Sequence, residues 1–413
     1  MSRDDATTAE AAPRTPEAPG AAVLEAHPGD LYGYELMLPE SDQRLLLEVR
    51  TWLQREIAPI ANDQWAAAEF PHAVVPGLAE LGIVGIAYDR PDRPAASRLL
   101  SGFLTLELSR VDTSMATFYG VHSGLAMGSI SLLGSAEQQE RWLPDMYAMK
   151  AIGAFGLTEP NGGSDVAGGL DTTARRDGDE WVLDGEKRWI GNATFADLIV
   201  IWAKDVEDGE VKGFVVQNDN PGFTATKMEN KLALRTVQNA DIVLAGCRVP
   251  HTDKLAGANS FADTGKVLSM TRGGVAWSSV GCQMGAYEAA VRYAEERVQF
   301  GRPIGSFQLI QDLLVKMLGN ITASLGMTVR VAELQEAGTC TDEQAALAKG
   351  YCTSRMRETV ACAREVLGGN GILLDHDVAR FFNDAEALYS YEGTREINTL
   401  IVGRGITGHS AFV

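Results

Sequence analysis

The sequence predicts an α+β multidomain protein with an N-terminal helical domain, a middle β-barrel-like domain and a C-terminal four-helix bundle. The chain has 413 residues, past the length at which a single hydrophobic core stops growing, so it should divide into domains. Its apolar periodicity changes twice, from helical spacing to short β-rich runs and back. Hydrophobic residues make up 45% and charged residues 22%, the balance of a globular chain. The expected layout is a disordered tail over 1–28, helices over 29–155, the β domain over 156–265 and the bundle over 266–413.

The first stretch, MSRDDATTAEAAPRTPEAPGAA, carries four acids against two arginines and has no apolar run. It is neither a secretory signal nor a basic presequence, and its Ala, Pro, Thr and Glu bias reads as a tail. From Leu45 to Lys150 the spacing is helical, with RLLLEVRTWLQREIAPIAND ending near Pro59 and Ser135 placed to cap AEQQERWL. Between Thr172 and Val249, short runs such as TTARR, EWVLD, KRWI, LIVIWAK, KGFVVQ and ADIVLAG are punctuated by Asp-Gly pairs at 177–178, 184–185 and 208–209. Asp-Gly between β-rich runs predicts hairpins, because the tight turn needs positive φ at both centres. From Lys266 onward helices return, and FQLIQDLLVKMLGNITASLGMTVRVAELQEAG reads as one long buried helix.

Several function classes are excluded by composition. Thirty-six basic against fifty-five acidic residues give a net charge of −19, which argues against nucleic acid or an anionic membrane as partner. No apolar run is long enough to span a bilayer. Cys247, Cys282, Cys340, Cys352 and Cys362 are odd in number with no CxxC pair, as for thiols in a reducing compartment, and a cytoplasmic location is expected. No two histidines stand three or four apart, so no helical metal pair exists and no metal is expected. GRGITG at 403–408 satisfies a dinucleotide pattern but follows no strand, so it reads as a loop after the last helix.

Chemistry resides in four other segments: GAFGLTEPNGGSDVAG (153–168), EKRWIGNATFADL (186–198), ERVQFGRPIGSFQ (296–308), and EVLGGNGI (365–372) leading into YSYEGTREINTLIVGR (389–404). Together, and in this order, they resemble the acyl-CoA dehydrogenase family of flavoproteins from about residue 40 to the C-terminus. Within that family KRWIGNATFADL resembles glutaryl-CoA dehydrogenases and the plant short-chain acyl-CoA oxidases. The resemblance implies FAD as cofactor, an acyl-CoA substrate, a homotetramer, and electron-transfer flavoprotein as electron acceptor if the enzyme is a dehydrogenase.

Read as residues, FGLTEPNGGS is a loop whose Gly162 and Gly163 let backbone N–H groups approach a ligand, with Thr158 and Ser164 as further donors. A plain turn is the alternative. The resemblance implies that Phe155, Leu157, Thr158, Gly163 and Ser164 line the flavin, with Ser164 also near the CoA phosphates. Trp189 would otherwise be a half-buried strand aromatic; the resemblance places it against the flavin ring, with Ile190 and Gly191 beside it. Arg297 and Phe300 stand three apart, which predicts a shared helix face, and Gly301 and Pro303 would turn the chain so that Gln308 approaches the same spot. An isolated ERVQF would read as a solvated helix end, whereas in the family these residues reach FAD bound mainly by a neighbouring subunit. Glu365, Gly368, Gly369, Thr394 and Glu396 fall at further FAD positions, although Glu365 stands where many relatives have glutamine. Arg272 and Gly393 match substrate positions.

The resemblance makes Glu392 the expected catalytic base, where YEG by itself would read as a surface turn glutamate. A carboxylate beside a flavin and an acyl chain is desolvated, which raises its pKa towards that of a useful base. It would take the α-proton of the thioester while the β-hydrogen leaves as hydride to the flavin, giving a trans-2-enoyl-CoA. Glutaryl-CoA dehydrogenases hold the distal carboxylate with an arginine and a glutamate; here Ala116 and Ser109 stand at those positions. The expected reaction is therefore α,β-dehydrogenation of a short, uncharged acyl-CoA. The alternatives are an oxidase using oxygen, a glutaryl-CoA dehydrogenase-like enzyme, and a non-catalytic acyl-CoA or flavin binder. Gly191 stands where dehydrogenases of the family usually have threonine. It either opens the flavin edge to oxygen or merely relieves a backbone clash.

Overall fold

The computed structural model describes residues 24–90 and 92–411. Most of the expected tail lies outside the described residues; residues 24–28 are described, and Leu24 and His27 are buried. The helical part comprises α1 (Glu40–Trp52), α2 (Ala61–Ala67), α3 (Val75–Glu80), α4 (Arg98–Val111), α5 (Thr113–Tyr119), α6 (Met127–Leu133) and α7 (Ala136–Tyr147). Ser135 caps α7 as expected: its hydroxyl accepts from the Gln138 N–H while the Gln138 side chain accepts from the Ser135 N–H, so two orphan donors are satisfied reciprocally. Between α5 and α6 the helix widens into a π turn over Gly120–Ala126.

A chain of alternating charges ties residues 24–38 to the helices. Glu35 and Glu107 flank Arg50 at 2.5 and 2.7 Å, Glu107 pairs with Arg110 at 2.8 Å, and Arg110 pairs with Glu288 at 2.9 Å. His27 closes it, with Nε2 on Glu288 and Nδ1 accepting from the Gly29 N–H. Burial alone would raise the Glu107 carboxyl, but Arg110 and Arg50 hold it down to about 2.

The middle domain is a seven-stranded curled sheet of order β1-β4-β2-β3-β7-β6, with β5 on the free side of β4. Its strands are β1 (Gly153–Gly156), β2 (Thr173–Asp177), β3 (Glu180–Ile190), β4 (Leu198–Asp205), β5 (Val211–Gln217), β6 (Phe223–Lys227) and β7 (Ala240–Pro250). The Asp-Gly pairs at 177–178 and 208–209 lie in the β2–β3 and β4–β5 hairpin connections. The pair at 184–185 does not: EWVLD and KRWI form one strand, β3, paired along its length with β7 and bulged between Leu183 and Gly185. Glycine is needed there because a Cβ would meet the Thr172 backbone at 2.6 Å. The short β1 and β6 carry too little alternation to be read from sequence.

The C-terminal part holds α8 (Phe261–Glu296), a two-stranded arm of β8 (Val298–Gln299) and β9 (Arg302–Pro303), then α9 (Gln308–Glu336), α10 (Asp342–Val366), α11 (Val378–Ser390) and α12 (Arg395–Thr407). Helices α4 and α8 cross closely, since a Cβ on Gly281 or Gly285 would meet an α4 carbonyl at 2.2 Å. The expected buried helix at 307–338 is only partly buried, with Leu309 and Val315 exposed along α9. GRGITG is not a loop: it forms the end of α12, closed by Gly408 in the left-handed region. Asp384 on α11 accepts from Trp65 Nε1 on α2 at 2.8 Å and from the Leu234 N–H of the middle domain at 2.6 Å, joining the three parts.

Candidate active site

Glu392 lies in the loop between α11 and α12, where it and Gly393 both take left-handed backbone angles, φ 55° and 81°. For a non-glycine residue this costs on the order of 1 kcal/mol, so the surroundings must hold it. They do so from three helices. Thr271 Oγ1 on α8 donates to Glu392 Oε2 at 3.1 Å. Lys349 Nζ on α10 donates to the carbonyls of Tyr389 and Gly393 at 2.9 and 2.7 Å. Asn398 Nδ2 on α12 donates to the Gly393 and Thr394 carbonyls, both at 2.9 Å, and Thr394 caps that helix by accepting from the Ile397 N–H. Burial raises the Glu392 pKa above its ordinary value, opposed by the Thr271 hydroxyl, Arg272 and Lys349. Arg272, beside Thr271, has a buried Nε without a hydrogen-bond partner.

The loop at 155–164 is organised by an ion pair. Lys187 on β3, fully buried, donates to Glu159 Oε1 at 2.6 Å and to the Leu157 carbonyl at 3.2 Å. Glu159 also accepts from the Asp171 and Thr172 N–H groups. Lys187 holds the Glu159 carboxyl below its usual range despite burial. Phe155 and Leu157 are buried, Phe155 with its ring 6.0 Å from that of Trp202, while Gly163 and Ser164 are exposed.

The Arg188 N–H donates to the Thr158 carbonyl at 2.8 Å, which sets the next motif beside this loop. Trp189 has φ 66° and is 54% exposed, unlike the half-buried strand position that sequence alone suggested. Ile190 is buried in the core. A Cβ on Gly191 would stand 3.2 Å from Val121 Cγ2, a tight contact that Val121 would have to ease by a few tenths of an ångström.

The hub of these contacts is α5 with its π turn. Thr117 Oγ1 lies 3.5 Å from the Tyr391 hydroxyl, the Phe118 carbonyl accepts from Asn192 Nδ2, Val121 abuts Gly191, and Gly124 faces Thr271. The Gly153 N–H donates to His122 Nδ1 at 2.9 Å, so the motif segments containing Thr158, Gly191 and Glu392 converge on Thr113–Ala126, a stretch in which the sequence singled out Ala116 but not its neighbours. Lys187, Glu159, Thr271 and Lys349 were likewise missed, although each sits inside or beside a quoted motif or helix.

The segment 296–308 is arranged differently from the sequence expectation. Arg297 and Phe300 do not share a helix face, because α8 stops at Glu296 and Arg297 is already extended. Val298 pairs with Pro303 and Gln299 with Arg302, with Phe300 and Gly301 left-handed at the tip, φ 50° and 78°. Phe300 is 93% exposed and Gln308, which begins α9, is exposed. Among the described residues no hydrogen bond or ion pair joins Arg297, Phe300 or Gln308 to the Glu392 loop or to the loop at 155–164. Glu365, Gly368, Gly369 and Glu396 are exposed; nothing lies within 4 Å of a Cβ placed on Gly163, Gly368 or Gly369, so backbone there is open to a ligand.

Glu392 in its left-handed turn, the half-buried Arg272 with its unpartnered Nε and the exposed Trp189 thus stand around one helical hub. Family models match all three parts of the chain: the acyl-CoA dehydrogenase N-terminal domain matches residues 39–150, the middle domain 154–247 and the C-terminal domain 261–407. The chain belongs to the acyl-CoA dehydrogenase family, whose members dehydrogenate acyl-CoA with FAD. It is 34% identical over 373 residues to the human mitochondrial short-chain specific acyl-CoA dehydrogenase, covering 88% of this chain and 90% of that one. It is 31% identical over 365 residues to an acyl-CoA dehydrogenase of Bacillus subtilis, covering 87% and 96%. Among solved structures, a glutaryl-CoA dehydrogenase from Mycobacterium smegmatis superposes with a TM-score of 0.89 at 36% identity, covering 94% of this chain and all of that one. A second, in complex with FADH2, gives 0.90 at 30% identity, with the same coverage. Butyryl-CoA dehydrogenase from Megasphaera elsdenii gives 0.84 at 28%, covering 89% and 98%. Among the described residues no helix is long and apolar enough to cross a membrane.

Proposed function

We propose that this enzyme dehydrogenates short, uncharged acyl-CoA thioesters, with Glu392 as the base, as a cytoplasmic homotetramer that passes electrons to electron-transfer flavoprotein. The observation that carries the reading is the Glu392 turn. Burial raises the carboxyl towards a basicity suited to an α-proton, while Thr271 and Arg272 keep its charged form accessible. Bound FAD supplies the two-electron acceptor for the β-hydrogen. The open backbone at Gly163, Gly368 and Gly369, the exposed Trp189 and the unpartnered Arg272 Nε fit a flavin dinucleotide and a CoA thioester. In this reading Phe155, Leu157, Thr158, Ser164, Ile190, Gly191, Glu365, Thr394 and Glu396 surround the cofactor. The Glu392 N–H donates to the thioester oxygen, Gly393 flanks the acyl chain, and Arg272 and Ser164 meet CoA.

An uncharged acyl tail is supported by what surrounds Ala116. Ala116 is buried beside Thr117, and Ser109 spends its hydroxyl on the Ser278 carbonyl at 2.7 Å. The neighbouring cation, Arg110, is committed to Glu107 and Glu288. A buried carboxylate tail would therefore lack a partner on that wall, a penalty of several kcal/mol. The tetramer is supported by the β8–β9 arm, whose Phe300 meets Phe307 edge-on yet stays largely exposed, and by the exposed Leu309 and Val315 of α9; Arg297, Phe300 and Gln308 would reach a neighbour's FAD. The test is anaerobic titration with a panel of acyl-CoAs, following loss of the oxidised flavin band, then admitting air. Bleaching by butyryl-type thioesters and slow recovery in air support the reading, and a colourless protein without affinity for FAD overturns it.

A further inference from the structure

We infer that Lys349 is the positioning residue that holds Glu392 in its left-handed turn, by bridging the carbonyls on either side of the base. The inference rests on the reading of Glu392 as the base and deepens it.

Lys349 is fully buried in the first third of α10, yet no carboxylate lies within ion-pair distance of its ammonium among the described residues. Burying an ammonium without a counter-ion is costly, so its retention calls for strong acceptors. Its Nζ has two: the Tyr389 carbonyl, at the end of α11 where helical carbonyls lack partners, and the Gly393 carbonyl, immediately after Glu392. The donor thus clamps residues 389 and 393 together around the residue that must hold φ 55°. Asn398 donates to the same Gly393 carbonyl but does not reach the α11 side, so it secures only one end of the turn. Thr271 fixes the carboxylate but not the backbone.

The ammonium also faces the base electrostatically. Burial pushes Lys349 down to about 8, which leaves it cationic at neutral pH, with Glu392 and Glu396 opposing the fall and Arg272 adding to it. The groups surrounding the turn are therefore Thr271 and Arg272 from α8, Lys349 from α10, Tyr391 in the loop and Glu396 on α12. Of these, Lys349 alone both bonds the turn on its two sides and places a charge beside it.

The experiment compares wild type, Lys349→Met and Lys349→Gln as FAD-loaded enzyme. Three readings are taken: anaerobic flavin bleaching by butyryl-CoA, its pH profile, and binding of a non-oxidisable acyl-CoA thioether followed by the flavin spectrum. Lys349→Met should bleach ~10- to 100-fold more slowly, within the range of a misplaced general base. It should bind the thioether within roughly threefold of wild type, and the acid limb of its profile should move to higher pH as the cation is lost. Lys349→Gln, which keeps a donor, should fall between. Wild-type bleaching and an unmoved acid limb in Lys349→Met overturn the inference, as does failure of both variants to load FAD, which would make the lysine a folding residue. Glu392→Gln run alongside separates the two readings. If it bleaches like wild type, Glu392 is not the base. If it is slow and Lys349→Met is not, only the role of Lys349 falls.

Discussion

Thr271 Oγ1 donates to Glu392 Oε2 across 3.1 Å, linking the first third of α8 to a loop more than a hundred residues later. A hydrogen bond to the charged form lowers a carboxyl's pKa, against the rise that burial imposes. Thr271→Val should therefore shift the acid limb of the bleaching profile upward in pH while FAD content is unchanged. A profile identical to wild type would show that the bond is not made in the enzyme–substrate complex.

Glu392→Gln should keep FAD and bind acyl-CoA but bleach at least ~100-fold more slowly, the usual worth of a positioned base. Stopped-flow reduction under anaerobic conditions measures it directly. Near wild-type reduction would move the base elsewhere in the chain.

Butyryl-CoA should reduce the flavin faster than glutaryl-CoA, because Ser109 and Ala116 offer no cation and Arg110 is already paired twice. Steady-state kcat/KM values for the two thioesters decide this. A preference for glutaryl-CoA would show that a different cation anchors the tail.

A Cβ on Gly191 would stand 3.2 Å from Val121 Cγ2, so a threonine there would crowd Val121. Gly191→Thr should therefore lower FAD retention and thermal stability, and adding Val121→Ala should restore both. Reoxidation in air is read on the double variant. A slower rate than wild type assigns the glycine a role in oxygen access, and an equal rate leaves it as packing.

His27 gives a pH dependence of stability. Burial, then Arg110, pushes its pKa down to about 3 from an ordinary 6.5. The folded protein then binds fewer protons than the unfolded one. The contribution is full above pH 6.5 and is lost as pH falls towards 3, on the order of a few kcal/mol. Glu35 and Glu288, raised by burial, act in the opposite sense. The histidine is isolated by comparing melting temperatures of wild type and His27→Gln between pH 7.5 and 5. The wild type should lose more over that interval, and parallel curves would remove His27 from the account.

The three-part architecture was legible because periodicity changes where the layers change, and the hairpin signals at 177–178 and 208–209 mark real connections. The same dipeptide at 184–185 misled: turn and bulge both ask for positive φ, and only the shared partner β7 tells them apart. Helical spacing failed at Arg297 and Phe300 because a three-residue offset says nothing about where a helix stops. The Glu392 segment is marked in the sequence by its resemblance to the family, since YEG by itself reads as a surface turn. Its supports are not marked, since Thr271, Lys349 and Thr117 lie on three other helices and meet it only after folding.

Asp384 draws bonds from Trp65 and Leu234, residues 319 and 150 positions away along the chain. Contacts of that span form late and cost loop entropy before they return anything. Once made, they deny the three parts separate lives. A fragment ending before α11 would leave the Trp65 indole N–H and the Leu234 amide without their acceptor, so the protein should denature as one cooperative body rather than region by region.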